Sequence, residues 1–305
     1  MEVLIEKEFN VLVYLENCSD ENLDADKAVR ELKIDKEEFI KIFNKLCHNG
    51  YLKKTEEKIY VTDEGYEYLE PFKVKRAILL AAGFGSRMQP VTLETPKPLV
   101  EVNGTRIIET LLGALLEKKI DDITIVTGYL SDKFDVIRKK YPNIKFLYNE
   151  RYSMENNISS AMLVRENYGN SYVMDADLYL KNKNLIRKYE YHSNYLGIKV
   201  KETDDWCLKT EGERVTAMVH GGKDTHLMVG LSYWSLNDGK TFSGDIEKLY
   251  DTEKGKQMYW DDVALTVFNE NYDLHVRECD FDDIIEIDSI YELANIDPSY
   301  NRYIN

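Results

Sequence analysis

The sequence predicts an α/β fold with a mixed, mainly parallel sheet, preceded by a small helical domain. From Lys73 onward, apolar strand-like segments alternate with segments of helical periodicity, which is typical of a parallel sheet covered by helices on both faces. Beyond about residue 195 the pattern shifts toward strands and turns, which predicts an antiparallel lobe over that sheet. The chain has 305 residues, enough for two domains with buried cores. We place the boundary beside Pro71, giving domains 1–72 and 73–305.

The first domain contains apolar residues at helical spacing, followed by two short apolar segments around a polar tip. Asp35 is a predicted N-cap, and Asn49-Gly50 closes the helix that follows it. In chain order, we predict helices over 8–15, 24–32 and 36–48, a hairpin around 53–58, and a helix from Thr62. This order resembles a winged helix-turn-helix domain.

The charge of the first domain argues against a role in DNA binding. Residues 1–72 hold 18 Asp and Glu against 10 Lys and Arg, a net charge of −8, and the third helix begins Asp35-Lys36-Glu37-Glu38. Phosphate contacts dominate the affinity of DNA-binding proteins, and an acidic helix start would repel them. We therefore do not expect nucleic acid as a partner, and instead predict protein contact, homodimer formation or packing for this domain.

The second domain alternates predicted strands with predicted helices and contains no internal repeat. Its predicted strands cover 76–81, 123–127, 145–148 and 171–175, and its predicted helices cover 105–118, 131–141 and 158–167.

The composition and the cysteine spacing indicate the cellular compartment that we expect for the protein. Its longest apolar segments, such as 77–82, are far shorter than the ~20 residues of a membrane helix, and the acidic N-terminus does not resemble a secretory signal. The cysteines lie far apart without C-x-x-C spacing, and the histidines form no H-E-x-x-H motif. We therefore expect a cytoplasmic protein with reduced thiols and no membrane partner.

A glycine-rich loop follows the first strand of the second domain. Ala82-Gly83-Phe84-Gly85-Ser86-Arg87 is followed closely by Thr95-Pro96-Lys97-Pro98-Leu99. Small residues let backbone N–H groups approach a phosphate or a base edge, and Arg87 and Lys97 add positive charge. The loop has neither the G-K-[ST] of a Walker A motif nor the third glycine of a dinucleotide fingerprint. Taken alone, its two glycines favour a tight turn after a buried strand.

The whole string resembles the A-A-G-x-G-x-R and T-P-K-x-L motifs of the nucleotidyltransferases that activate sugar phosphates, polyols and choline phosphate. The resemblance implies a Rossmann-like nucleotidyltransferase domain whose loop wraps a nucleoside triphosphate. Arg87 and Lys97 are then catalytic residues that stabilise the phosphates. The implied nucleotide contacts from the strand and its loop are Leu80, Ala81, Ala82, Gly83 and Gly85.

Two carboxylates end the apolar strand that precedes residue 177. Asp175 and Asp177 lie at i and i+2, on one side of the chain if it stays extended, and Asp is also common at turns. Strand ends are where open α/β sheets bind ligands, and Mg²⁺ prefers one or two carboxylates with phosphate oxygens. The resemblance implies that Asp177 and Asp261 are catalytic metal ligands for Mg²⁺, with Asp175 beside the nucleotide orienting Asp177.

Three segments resemble the bacterial CTP:phosphocholine cytidylyltransferases more than the sugar-phosphate enzymes. They surround Asn156 and Ser160, which are implied nucleotide contacts, and Trp206 and Tyr259. A quaternary ammonium donates no hydrogen bond and is recognised by aromatic faces, so Trp206 and Tyr259 are predicted to bind phosphocholine, although core packing is also open to such rings. The basic residue upstream of Trp206 is either Lys199 or Lys201.

The predicted reaction is therefore CMP transfer from CTP to phosphocholine, giving CDP-choline and pyrophosphate. Two alternatives stay open at this level. A nucleotidyltransferase for a sugar-1-phosphate or an aminoalkyl phosphate or phosphonate would share the nucleotide site. A non-catalytic regulator would place a nucleotidyltransferase-like sensor beside the winged-helix-like domain, although it would not need Lys97, Asp177 and Asp261 together.

Overall fold

The computed structural model describes residues 5–18, 24–55 and 58–304. Within the chain there are two compact units, Met1–Lys73 and Val74–Asn305. In the described ranges, none of the helices combines the length and the apolar character that a membrane-spanning helix requires.

The first unit consists of helices and one short hairpin. Its elements are α1 (Glu6–Asn17), α2 (Ala25–Leu32), α3 (Lys36–His48), β1 (Leu52–Lys54), β2 (Ile59–Val61) and α4 (Asp63–Leu69). The Asp35 side chain accepts a hydrogen bond of 2.8 Å from the Glu38 N–H, which makes it the N-cap of α3 as predicted. Thr62 caps α4 in the same way. The predicted helices and both strands of the predicted hairpin are present, and residues 56 and 57 of the hairpin tip lie outside the described ranges. The winged-helix character of the unit stays a prediction.

The second unit contains the remaining strands and helices. The strands are β3 (Arg76–Ala81), β4 (Glu101–Val102), β5 (Thr105–Arg106), β6 (Asp122–Thr127), β7 (Lys145–Tyr148), β8 (Ser171–Asp175), β9 (Leu178–Leu180), β10 (Asn194–Glu211), β11 (Arg214–Trp234), β12 (His275–Cys279) and β13 (Ile284–Glu286). The helices are α5 (Ile107–Glu117), α6 (Asp135–Lys140), α7 (Ile158–Leu163), α8 (Leu236–Tyr250) and α9 (Ile290–Ile296).

Seven of these strands form one mixed sheet in the order β10–β12–β11–β8–β3–β6–β7. The four strands β8, β3, β6 and β7 are mutually parallel, whereas β11 is antiparallel to β8 and forms a long antiparallel pair with β10. The predicted α/β class with a mixed, mainly parallel sheet is confirmed, and the antiparallel part begins close to residue 195.

The central strand β3 separates two hydrophobic cores because its side chains alternate between the faces of the sheet. Leu79 packs in one core with Leu111 of α5. Leu80 packs in the other with Ile158 of α7 and Phe242 of α8. Both faces of the parallel strands are therefore covered, as expected for a sheet of this kind.

The sequence analysis missed helix α8. It lies in the region that was interpreted as strands and turns, and Gly239 and Gly244 lower its helix propensity. The Ser235 hydroxyl nevertheless accepts a hydrogen bond from the Asp238 N–H, and Phe242 and Ile246 bury one face of the helix. Tertiary packing and a good N-cap thus override the weak local preference.

Candidate active site

The glycine-rich loop begins where β3 ends, at the carboxyl edge of the parallel strands. Leu80 and Ala81 are the last strand residues, and Leu80 pairs with Asp175 at the end of β8. Gly85 has a φ of 61°, and a Cβ there would lie 3.1 Å from Lys97 Cβ, so glycine is required at that position. A Cβ on Gly83 would meet no atom within 4 Å, so this part of the loop faces open space.

Hydrogen bonds hold the rest of the loop in place. The Ala82 carbonyl accepts from the Tyr129 N–H at 3.1 Å, and the Thr92 hydroxyl donates to the Gly85 carbonyl at 2.8 Å. The predicted nucleotide loop is therefore fixed at both ends, with its open face at the edge of the sheet where α/β proteins bind ligands.

Lys97 lies between two carboxylates at this edge. Its side chain is only 9% exposed, and Nζ donates to Asp177 Oδ2 and Asp288 Oδ1, each at 2.6 Å. Burial by itself would lower the pKa of Lys97, but Asp177 and Asp288 outweigh it and hold the pKa above its ordinary value. Lys97 is therefore a fixed positive charge in the site.

A small antiparallel pair of strands brings the two aspartates together. In the pairing of β9 with β13, Glu286 lies opposite Leu178, the residue that follows Asp177. Asp288 comes directly before Ser289, whose capping box with Glu292 begins α9. The Asp288 N–H donates to Glu292 Oε2 at 2.8 Å, so this loop is fixed as well.

Arg87 reaches the same carboxylate from the glycine-rich loop. Its Nη2 lies 2.8 Å from Asp288 Oδ1, while its side chain remains 72% exposed. The structure thus brings Arg87, Lys97 and Asp177 together, as the sequence predicts. The aspartate that they share, Asp288, was not among the predicted metal ligands. Glu286 and Asp288 form a second pair of carboxylates at i and i+2, at the end of a strand. This spacing could have identified Asp288 from the sequence.

Three carboxylates converge here with the geometry of a cation site. Asp177, Glu286 and Asp288 each offer an oxygen, and these oxygens lie within 4.8 Å of one another. Asp177 Oδ1 is buried and has no hydrogen-bond partner. Burial, followed by the charges of Asp177 and Asp288, raises the pKa of Glu286 to about 8. An oxygen-only set with an unsatisfied carboxylate atom fits Mg²⁺.

Asp175 lies deeper than Asp177, against the backbone of β11. A Cβ on Gly230 would come within 2.2 Å of Asp175 Oδ2, so only glycine leaves room for this carboxylate. Burial raises the pKa of Asp175 well above its usual range, and the neighbouring Asp177 and Asp261 raise it further. Its predicted role of orienting Asp177 stays a prediction.

Asp261 does not belong to the carboxylate group around Asp177. It is 5% exposed and accepts a hydrogen bond of 3.1 Å from the Tyr195 hydroxyl. Burial raises the pKa of Asp261 to about 7, although the hydrogen bond from Tyr195 opposes this rise. The predicted metal-ligand role of Asp261 stays a prediction, while Asp288 is the aspartate that shares the oxygen cluster with Asp177.

Asn156 and Ser160 make contacts within the protein. Asn156 Nδ2 donates to the Gln257 carbonyl at 3.1 Å, and its N–H donates to the Lys256 carbonyl at 2.9 Å. The buried Ser160 hydroxyl accepts from Asn149 Nδ2 at 2.9 Å. These bonds connect the start of α7 to the segment before Tyr259, and the predicted nucleotide contacts of both residues stay predictions.

Trp206 and Tyr259 form an edge-to-face pair of aromatic rings. Their ring centroids are 6.0 Å apart with the planes at 68°, and the His220 ring lies edge-on to Trp206 at 5.2 Å. Tyr259 is 44% exposed, and its N–H donates to Asp262 Oδ2 at 3.0 Å. Asp205, next to Trp206, is close enough to Glu286 for its charge to raise the pKa of that carboxyl. The rings therefore lie beside the carboxylates of Asp205 and Asp262.

Several known proteins are similar to this chain in sequence, and solved structures are similar to it in fold. Residues 76–203 match the family described as nucleotidyl transferase. The chain is 37% identical over 229 residues to a 2-aminoethylphosphonate cytidylyltransferase of Lancefieldella rimae, covering 73% of this chain and 92% of the relative. It is 35% identical over 224 residues to a choline-phosphate cytidylyltransferase of Streptococcus pneumoniae, covering 73% and 96%.

Solved structures give the same result. The CTP:phosphocholine cytidylyltransferase structure from Streptococcus pneumoniae superimposes with a TM-score of 0.69 at 34% identity, covering 73% of this chain and 98% of that one. The chain therefore belongs to the nucleotidyltransferase family, within its cytidylyltransferases. The predicted enzyme class is confirmed, and the matched relatives differ in the acceptor that their names give.

Proposed function

We propose that this cytidylyltransferase transfers CMP from CTP to phosphocholine, giving CDP-choline and pyrophosphate. The observation that supports the choice of acceptor is the edge-to-face pair of rings, Trp206 and Tyr259, with the carboxylates of Asp205 and Asp262 next to them. A trimethylammonium group is bound by aromatic faces and by nearby negative charge, and these two features offer both.

The chemistry needs alignment and charge neutralisation. An anionic phosphate oxygen of the acceptor attacks the α-phosphorus of CTP in line, the new P–O bond forms, and the bond to the leaving pyrophosphate breaks. The attacking oxygen is already ionised, so no general base is required. Lys97 holds positive charge beside the transferred group, and the exposed Arg87 neutralises the triphosphate.

We propose Mg²⁺ as the cofactor, held by Asp177 and Asp288 with Glu286 beside them. The ion supplies positive charge for the transferred phosphate in the transition state. Lys97 lies between the two aspartates, balances their charge and orients their carboxylates. Asp175 supports Asp177 from below.

A 2-aminoethylphosphonate acceptor is the second candidate, because a relative that is 37% identical carries that name. Such an acceptor presents the same anionic oxygen and a primary ammonium instead of a trimethylammonium. A primary ammonium donates hydrogen bonds, so its recognition would depend on carboxylates such as Asp205 more than on ring faces.

The experiment is a pyrophosphate-release assay with purified protein, Mg²⁺, and each of CTP, UTP, ATP and dTTP in combination with a panel of phosphorylated acceptors. We expect the highest kcat/KM for CTP with phosphocholine and no turnover after EDTA treatment, restored by excess Mg²⁺. Faster turnover of glucose-1-phosphate with UTP or dTTP would overturn the proposed acceptor and base. Full activity in EDTA would remove the cofactor from the proposal.

Trp206→Ala should raise the KM for phosphocholine about 2- to 30-fold, the equivalent of roughly 0.5–2 kcal/mol for one ring, and leave the KM for CTP nearly unchanged. Trp206→Phe is the matched control that retains an aromatic face. The neutral isostere 3,3-dimethylbutyl phosphate should bind less well than phosphocholine to the parent enzyme, and this difference should shrink in Trp206→Ala. Equal rises in both KM values would indicate that Trp206 packs the fold instead.

A further inference from the structure

An aromatic residue of the glycine-rich loop has no role in the reaction proposed above. Phe84 lies between Gly83 and Gly85, the two glycines implied as nucleotide contacts, and 42% of its surface is exposed. A Cβ on Gly83 would meet no atom within 4 Å, so the chain beside the ring borders open space. The Phe84 ring is therefore accessible to a ligand that binds in the loop.

Two tyrosines hold the Phe84 ring in place without covering it. Its centroid lies 5.2 Å from that of Tyr129 and 5.3 Å from that of Tyr152, and both pairs of planes are tilted by 50°. Such distances and tilts are typical of favourable aromatic contacts. The Tyr152 ring in turn lies 6.3 Å from that of Tyr148, which is 52% exposed. Phe84 thus belongs to a continuous set of four rings.

Close backbone packing fixes the two tyrosines relative to the loop. Gly128 leaves room for Tyr152, because a Cβ on this glycine would lie 2.6 Å from Tyr152 Cβ and 2.9 Å from the Ala82 carbonyl oxygen. The Tyr129 N–H donates to the same carbonyl at 3.1 Å, and its hydroxyl donates to the Thr92 carbonyl at 3.1 Å. The aromatic set is therefore joined to the loop before any ligand binds.

The order of the strands places the rings and the carboxylate group after opposite neighbours of β3. In the sheet, β8 lies on one side of β3, and β6 and β7 lie on the other. Asp177 follows β8, whereas Tyr129 follows β6 and Tyr148 ends β7. The phosphates of a nucleotide are drawn to the carboxylate side, where the cation, Arg87 and Lys97 provide positive charge. The side with the aromatic rings is left for the base, over the carboxyl ends of parallel strands.

We propose that the Phe84 ring stacks on the base of the bound nucleoside triphosphate. This inference rests on the proposed function, which supplies the nucleotide. A phenyl ring makes no conventional hydrogen bond, and every nucleobase has a π-face. Phe84 therefore contributes affinity for the nucleotide, while the choice of base depends on polar groups. The contact is made before and during the reaction, so its loss raises the KM for CTP more than it lowers kcat.

The test compares the binding of a nucleotide with that of a triphosphate that has no base. CTP and inorganic tripolyphosphate are each titrated by calorimetry into the full-length protein, with Mg²⁺ and without acceptor. Phe84→Ala should weaken CTP binding by about 5- to 150-fold, which converts to roughly 1–3 kcal/mol for one stacked base. It should leave tripolyphosphate binding unchanged, and Phe84→Tyr should restore the affinity for CTP. Phe281 is 54% exposed and supplies the matched control, Phe281→Ala, which should bind both ligands as the parent does.

Phe84→Trp reports the stacking directly, because a base stacked on an indole quenches its fluorescence. Relative to the parent protein, CTP should quench the added signal and tripolyphosphate should not. Quenching by UTP or ATP without a response to CTP would keep the stacking and overturn the choice of CTP in the proposed function. Unchanged CTP affinity in Phe84→Ala would overturn the stacking. Equal losses of affinity for CTP and tripolyphosphate would also overturn it, since the residue would then only shape the loop.

Discussion

Replacing Asp177 or Asp288 by asparagine is expected to lower kcat by about 100-fold or more and to raise the Mg²⁺ concentration needed for half-maximal rate. Both carboxylates face Lys97 and share the oxygen cluster with Glu286, so each amide removes negative charge from the cation site. Interactions that act on charge developing in the transition state are worth this much when one group is lost. The measurement is initial rate against Mg²⁺ concentration at saturating CTP and acceptor.

Asp261→Asn is the discriminating control for this experiment. Its amide oxygen can still accept the hydrogen bond from Tyr195, and Asp261 lies outside the carboxylate group. We therefore expect its Mg²⁺ dependence to match that of the parent enzyme, even if some stability is lost. A shift in Mg²⁺ requirement for Asp261→Asn as large as that for Asp288→Asn would return the metal to Asp261 and refute the assignment made from the geometry.

Lys97→Met should have two opposite effects, a loss of turnover of about 100-fold or more and tighter binding of Mn²⁺ or Mg²⁺ without nucleotide. The Lys97 ammonium stabilises the transferred phosphate in the transition state, so its loss lowers kcat. The same ammonium neutralises Asp177 and Asp288 at 2.6 Å, so in the free enzyme it competes with a divalent cation. Methionine keeps the length of the side chain and removes its charge.

Steady-state rates and Mn²⁺ binding followed by electron paramagnetic resonance measure the two effects separately. Lys145→Met is the matched control, because Lys145 is an exposed lysine that pairs with Asp122 at the edge of the sheet. It should leave both quantities unchanged. Weaker Mn²⁺ binding by a folded Lys97→Met variant would contradict the view that the lysine and the metal share these aspartates.

Local chemistry explains which parts of the fold and the site could be predicted from sequence. Asp35 was identified as an N-cap because its hydrogen bond reaches only three residues along the chain. The glycine loop and Lys97 were assigned because they lie in one short string that resembles a family motif, and Asp177 because it follows an apolar strand at the position that the same resemblance implies. In each case the relevant neighbours are close in sequence.

The part that could not be predicted depends on contacts between distant segments. Asp288 reaches Lys97 across 191 positions in the sequence, through the pairing of β9 with β13. Asp261 follows two aromatic residues in the sequence, yet it accepts a hydrogen bond from Tyr195, 66 positions away. Strand register, which one sequence does not reveal, decides which aspartate joins the carboxylate group around Asp177.

The most direct test of the proposed function is a competition in one tube, with CTP, Mg²⁺ and equal concentrations of phosphocholine and 2-aminoethylphosphonate. Phosphorus NMR distinguishes the two products, and at low conversion their ratio equals the ratio of the two kcat/KM values. Recognition by Trp206 and Tyr259 predicts that CDP-choline predominates, and that Trp206→Ala shifts the ratio toward the phosphonate product. A predominance of the phosphonate product with the parent enzyme would contradict the choline assignment while leaving CMP transfer intact.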